Sequence, residues 1–270
     1  MGSELQPKRK RFGQHFLHDR HARARILDAL TIEEGRPVLE IGPGGGALTE
    51  GLIERGHHVV ALEIDRELAA GLRNRFDASR LTLIEVDALS ADLTALASEY
   101  DVGSWTLLSN LPYNISKPMV MRLIDHAGAI EQAVLMFQSE VANRLTASVG
   151  DRDYGPLSVL PREHFAIETL FKLGPKAFRP PPAVDSSVTR WRRHTTLPTD
   201  GTRRQLQTLL RLAFASRRKT LRNNLRGAFP SVQELEACLA RCELDPGLRA
   251  ERLDAEQLRR LAAAHGWAKS

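Results

Sequence analysis

The chain has almost no cysteine: Cys238 and Cys242 are the only two in 270 residues. Two thiols four apart in a helix-patterned stretch are too few for a zinc site and poorly placed for a disulfide. They read as small core residues in a reducing compartment. Long apolar runs are also missing, and none approaches the roughly 18 residues that cross a bilayer. Met1–Arg11 is polar and basic with no apolar segment behind it, which argues against a secretory signal. Gln6 stands where a myristoylation signal needs Ser or Thr. A cytoplasmic protein with no membrane partner is expected. Acid is locally absent as well. Between Arg203 and Arg226 there are eight Lys/Arg and no Asp or Glu, in a chain of net charge +5. A second basic group, Lys8–Arg11, lies near the start. Arg outnumbers Lys 31 to 7, so a solvated helix face is the bland explanation. Twenty-four residues without one compensating acid favour an anionic partner such as nucleic-acid phosphate.

What is present is an alternation of short β-branched runs with amphipathic helical patterns, the mark of a parallel sheet covered by helices. Strands are expected at Pro37–Ile41, His58–Ile64, Leu81–Val86, Trp105–Ser109 and Ala133–Phe137. Segments near Ala166–Leu173 and Ser186–Arg192 can close the sheet with an antiparallel edge. Helices are expected near Leu48–Arg55, Glu67–Arg75, Pro118–Ala127 and Ser139–Ser148. Around Thr195–Thr202 the chain turns polar, and beyond it Leu206, Leu209, Leu210, Ala213 and Phe214 recur at helical spacing. The expected division is an α/β domain over 1–198 and a small helical domain over 199–270.

Glu40-Ile41-Gly42-Pro43-Gly44-Gly45-Gly46 follows the first of these strands and precedes a helix, where glycines let backbone approach a ligand closely. Gly42, Gly44 and Ala47 fit a dinucleotide pattern, and Glu63 ends the next strand 21 residues after Gly42, placed for ribose hydroxyls. NAD and S-adenosylmethionine both contain adenosine, so these residues do not separate them. Two features favour the second. No second nucleotide fingerprint or dehydrogenase-like acid–base pair is evident, and Asp87-Ala88 closes the third strand, where an acid can accept from an adenine amine. Asp87 can equally cap the segment that follows.

The fourth strand runs into Asn110-Leu111-Pro112-Tyr113-Asn114-Ile115-Ser116. Ligands of open α/β sheets bind at this end of the strands. A plain strand-to-helix turn capped by Ser116 accounts for the Asn and Pro but not for Tyr113 beside Asn110. A site for an aromatic amine accounts for both. The exocyclic nitrogen of adenine is a poor nucleophile because its lone pair is delocalised into the ring. Acceptors such as the Asn110 side-chain oxygen and the Leu111 carbonyl draw it towards tetrahedral geometry, while Tyr113 holds the ring flat by stacking. No strong general base is required, because the methylated ammonium is itself acidic.

Asn-Leu-Pro-Tyr is similar to the motif of amino-methyltransferases, and its surroundings narrow the match. Lys10–Leu17, the Glu40–Gly44 loop, Asn110–Ser116, Gln138–Arg144, Ala177–Pro182 and Arg217–Asn223 occur in order over residues 8 to 260. As a set they resemble the KsgA-type small-subunit rRNA adenine N6,N6-dimethyltransferases. The resemblance implies a seven-stranded Rossmann-like methyltransferase sheet with a small all-helical C-terminal domain. It implies S-adenosylmethionine as cofactor, the small ribosomal subunit and its rRNA as partner, and action as a monomer. It assigns His15 and Leu17 to covering the cofactor, Gly42 to its methionine part, Glu63 to the ribose, Asp87 to the adenine, and Asn110 to both cofactor and target. Phe178 would face Tyr113 across the target base. Arg217, Arg218, Lys219 and Arg222 would bind RNA. His15, His18 and His21 stand three apart near Asp19, but the methyl transfer needs no metal and none is expected. The erythromycin-resistance methyltransferases of large-subunit rRNA share Asn-Leu-Pro-Tyr and form the nearest rival. A non-catalytic ribosome-assembly factor is the rival from another class.

Overall fold

A computed structural model describes residues 15–265. The basic group Lys8–Arg11 and the first five residues of the Lys10–Leu17 motif lie outside the described residues. In chain order the main elements begin with β1 (Phe16–Leu17), α1 (Arg20–Asp28), β2 (Val38–Ile41), α2 (Ala47–Glu54), β3 (Val59–Glu63), α3 (Arg66–Arg75), β4 (Leu81–Glu85) and α4 (Leu93–Glu99). They continue with β5 (Trp105–Asn110), α5 (Ser116–Asp125), β6 (Ile130–Gln138), α6 (Ser139–Thr146), α7 (Pro156–Val159), β7 (Phe165–Leu173), β8 (Phe178–Arg179) and β9 (Ser186–Arg193). The last four are helices: α8 (Asp200–Ala213), α9 (Leu221–Leu225), α10 (Val232–Arg241) and α11 (Ala255–Ala264).

Seven strands form one sheet in the order β4-β3-β2-β5-β6-β9-β7. β2 to β6 run parallel, and β9 pairs antiparallel with β6. The expected seven-stranded sheet is present, with both late strands on its β6 side. Every residue of β2 and β3 is buried, as the nearly unbroken apolar runs of strands covered on both faces require. The reversal of winding falls at β2, with β3 on one side and β5 on the other, so a crevice opens at the carboxyl ends of these strands.

Side-chain caps fix where helices begin. Asp65 accepts from the Glu67 and Leu68 amides at α3, Asp92 from Thr94 and Ala95 at α4, and Asp19 from Ala22 at α1. The sequence pattern does not single out α1 or α4. Both are short, and each announces itself mainly by its capping acid. At α5 the expected cap is replaced: Ser116 is the first helical residue, and its hydroxyl donates to the Pro112 carbonyl at 3.4 Å.

The chain divides into two compact units. The first holds the described residues up to Ala142 together with Glu168–Arg193, and contains the sheet apart from the first three residues of β7. The second joins the segment 143–167 to everything from His194 onwards. The expected cut near 198 falls close to the last crossing at His194, but 143–167 groups with the helical residues. Three bonds between positions far apart in sequence explain why. The Tyr154 hydroxyl donates to the Leu253 carbonyl at 2.9 Å, the Gly150 amide to Glu251 at 3.0 Å, and Arg217 to the Tyr154 carbonyl at 2.9 Å. The core of this unit is formed by Leu206, Leu209 and Leu210 of α8 with apolar residues of α9, α10 and α11; Cys238 and Cys242 are buried and free.

Candidate active site

A cavity of about 380 Å³ lies at the carboxyl ends of β2, β3 and β5. Its lining includes His15, Leu17, Gly42, Glu63, Asp87, Asn110, Leu111 and Tyr113, eight of the nine residues predicted to hold cofactor or target. Residues as far apart in the chain as His15 and Ile115 converge there because β2, β3 and β5 are neighbours that end at one level.

The glycine loop forms one wall. Gly42, Gly44 and Gly46 have φ of 66°, 56° and 76°, a region that L side chains enter at a cost. The Gly42 amide donates to the Leu62 carbonyl at 2.9 Å and so ties the loop to β3. Glu63, only 3% exposed, accepts from the Gly44 amide at 3.0 Å and from the Asp65 amide at 2.9 Å. One carboxylate therefore orients the loop and the start of α3, and it lines the cavity. Asp87 is exposed at the end of β4, and one of its oxygens accepts from the Leu89 amide at 2.9 Å, a local turn bond. Asp92 rather than Asp87 caps α4, so Asp87 retains its second oxygen for a ligand.

On the opposite side the Asn110 amide nitrogen donates to the His15 carbonyl at 3.1 Å. A carbonyl only accepts, so this bond fixes which end of the amide is which and leaves the Asn110 oxygen as an acceptor. Below it the Ser109 hydroxyl donates to the Ile41 carbonyl at 2.6 Å, locking β5 to β2 just before the motif. The Tyr113 hydroxyl lies 2.8 Å from the Ser186 hydroxyl, and burial raises its pKa above the ordinary tyrosine value. The His15 ring sits 5.4 Å from the Tyr113 ring, and its Nδ1 donates to the Pro180 carbonyl at 2.7 Å.

Phe178 is the ninth predicted residue. It is 2% exposed and belongs to the hydrophobic core cluster with Leu17, its register partner across the β1–β8 pair. It is not among the residues that line this cavity.

Among the lining residues to which the sequence assigned no individual role are Ile64, Phe16 and Glu40. Ile64 directly follows Glu63 and is 49% exposed, an apolar side chain kept at the surface of the crevice. Phe16 is 37% exposed and packs over Gly44 and Gly45. Glu40 is wholly buried: burial pushes its carboxyl up to about 7, against the opposing bond from the Thr49 hydroxyl at 2.6 Å. An exposed apolar residue at a strand end was the available signal for Ile64, whereas Glu40 gave none beyond its place before the glycines.

The four basic residues of the second unit are not equivalent. Arg217 pairs with Glu251 at 2.8 Å, and Arg222 with Glu236 at 3.1 Å. Arg218 and Lys219 are exposed, and no ion pair to another described residue is found for either. The acid missing from 203–226 is thus partly supplied by other helices.

Residues 5–264 match the family described as Ribosomal RNA adenine dimethylase. A protein of Pseudomonas aeruginosa named Ribosomal RNA small subunit methyltransferase A is 43% identical over 94% of this chain and 93% of its own. The crystal structure of a dimethyladenosine transferase from Plasmodium falciparum superposes with a TM-score of 0.78 at 26% identity, covering 92% of this chain and 96% of that one. The 23S rRNA methyltransferase ErmE gives a TM-score of 0.70 at 28% identity, covering 93% of this chain and 99% of that one.

Proposed function

The chain belongs to the ribosomal RNA adenine dimethylase family, and from that premise we propose that it dimethylates N6 of two adjacent adenosines near the 3′ end of small-subunit rRNA, using S-adenosylmethionine. The observation that carries this reading is the convergence of the glycine loop, Glu63, Asp87 and Asn110–Tyr113 on one cavity. Its volume lies within the range of nucleotide-sized ligand sites. Its lining also suits an adenosyl group: accepting carboxylates at two strand ends, loop backbone, and an apolar side chain at Ile64.

S-adenosylmethionine supplies the electrophilic methyl group. Glu63 would hold its ribose, Asp87 its adenine amine and Gly42 its methionine part, with His15 and Leu17 closing the side from which the chain enters. Asn110 Oδ1 and the Leu111 carbonyl accept from the target amine and favour a tetrahedral nitrogen, while the Tyr113 ring stacks on the flipped base. The chain's contribution is alignment and desolvation rather than base catalysis. The proton lost from the methylated nitrogen passes to water. Arg218 and Lys219, with Arg217 and Arg222 once their carboxylates are displaced, would contact rRNA phosphates.

The test incubates the protein with labelled S-adenosylmethionine and separated ribosomal subunits, then maps the labelled base. Label on two adjacent adenines of the small subunit is the expected result. Label on a single large-subunit adenine would favour the erythromycin-resistance chemistry, to which the likeness to ErmE gives some weight. No label with retained subunit binding would favour an assembly factor.

A further inference from the structure

The glycine loop is held from outside the cavity by an arginine–glutamate–arginine chain to which no role has been assigned. Arg75, the last residue of α3, donates from Nη1 to the Gly45 carbonyl at 3.1 Å and pairs through Nη2 with Glu50 of α2. The other Glu50 oxygen takes Arg23 of α1 at 3.1 Å, and Arg23 also donates to the Ala47 carbonyl at 3.3 Å. Two guanidinium groups thus grip the carbonyls on either side of Gly46 and share one carboxylate between them. Burial pushes the Glu50 carboxyl up, but its bonds to Arg75 and Arg23 outweigh this and hold it below the ordinary carboxylate range.

Packing leaves the loop little room to adapt. A Cβ on Gly46 would stand 2.7 Å from Leu72 and 3.1 Å from the Phe76 ring, both at the end of α3. The Arg75 guanidinium lies over that same ring, 4.9 Å from its centroid. On the other side Glu63 holds the Gly44 amide. A loop with three left-handed glycines has many alternative conformations, and each grip on its carbonyls removes some of them before a ligand arrives.

We propose that Arg75, Glu50 and Arg23 form an electrostatic clamp on the glycine loop, with Arg75 as the positioning residue that sets affinity for the methyl donor and its demethylated product. The proposal rests on the donor assignment above. None of the three lines the cavity, so the clamp acts on the loop and not on the reacting atoms.

Calorimetric titration of the full chain with S-adenosylhomocysteine tests it. Arg75→Ala should weaken binding about tenfold at low salt, the scale of one charge-assisted bond partly exposed to water. KM for S-adenosylmethionine should rise in parallel, while kcat at saturating donor stays within about twofold. Because the pairs are partly exposed, salt near 1 M, where the screening length is about 3 Å, should narrow the gap between wild type and variant. Arg75→Lys should restore part of the affinity. Wild-type-like affinity of Arg75→Ala at low salt overturns the clamp while leaving the donor assignment standing. Failure of the wild type to bind overturns both. If Arg75→Ala does not fold, Glu50→Gln decides: it keeps size and polarity but strips both arginines of their counter-charge, and unchanged affinity in it overturns the proposal.

Discussion

The cavity and the basic turn around Arg217–Arg222 are the two regions from which function is inferred, and they are built on opposite principles. In the cavity the polar groups described are already engaged, Glu63, Asp87 and Asn110 by backbone and Tyr113 and Glu40 by side-chain hydroxyls. Glu63 is tied to two amides, and Asn110 to the His15 carbonyl. What remains for a ligand is the unused half of each group, held in a fixed direction. The basic turn presents whole charges on long side chains, two of them paired with carboxylates and two exposed. Preorganised acceptors suit discrimination at a transition state, whereas exposed cations suit binding to a uniform polyanion.

The sharpest way to break this contrast is Asn110→Ala. An acceptor whose interaction strengthens as the nitrogen becomes tetrahedral should cost turnover about 10²–10³-fold, by analogy with loss of one oriented group in an oxyanion site. Subunit binding should change little. Single-turnover methylation beside a subunit-binding assay measures both, and near-normal methylation would sink the catalytic role.

Burial itself should be visible in stability. The Glu40 carboxyl is raised from 4.5 to about 7. Between these values the folded chain keeps a proton that the unfolded chain has released, so stability falls as pH rises through that window and levels off above it. The effect amounts to about 3 kcal/mol for a fully buried group. Calorimetric unfolding at pH 5 and pH 8 should show this loss in wild type and its absence in Glu40→Gln.

Tyr113 divides the two halves of its side chain. Tyr113→Ala should lose a stacking partner worth about 1–3 kcal/mol in turnover, while Tyr113→Phe forfeits only the bond to Ser186 and should keep most activity. Equal losses in the two variants would show that the hydroxyl, not the ring, matters.

The smallest effects should come from the basic turn, and they sharpen the contrast within it. Gln at both Arg218 and Lys219 should lower the salt slope of rRNA binding by up to about 0.9 for each phosphate left without its cation. Gln at Arg217 and Arg222 should lower it less, because each gives up a carboxylate before meeting a phosphate. Identical slopes for the two pairs would mean that the intramolecular ion pairs carry no weight in solution.

The sequence alone determined much of this. Alternating apolar runs located the five parallel strands. Gly42–Gly46, Glu63, Asp87 and Asn110–Tyr113 were legible because each is a strand-end signal, written within a few residues of chain. Strand ends in a parallel sheet must gather on one side, so local signals sufficed to predict a common site. Only the tertiary structure decided the rest. The pairing of β8 with β1 set Phe178 beside Leu17 in the core. The segment 143–167 joined the helical unit through Tyr154, Gly150 and Arg217, and the acid-free stretch 203–226 found Glu236 and Glu251. Arg75 reached the carbonyl of Gly45, thirty positions before it in the chain. These are pairings between residues whose spacing follows no period, and pattern along the chain carries no information about which distant partner a side chain will meet once the core has closed.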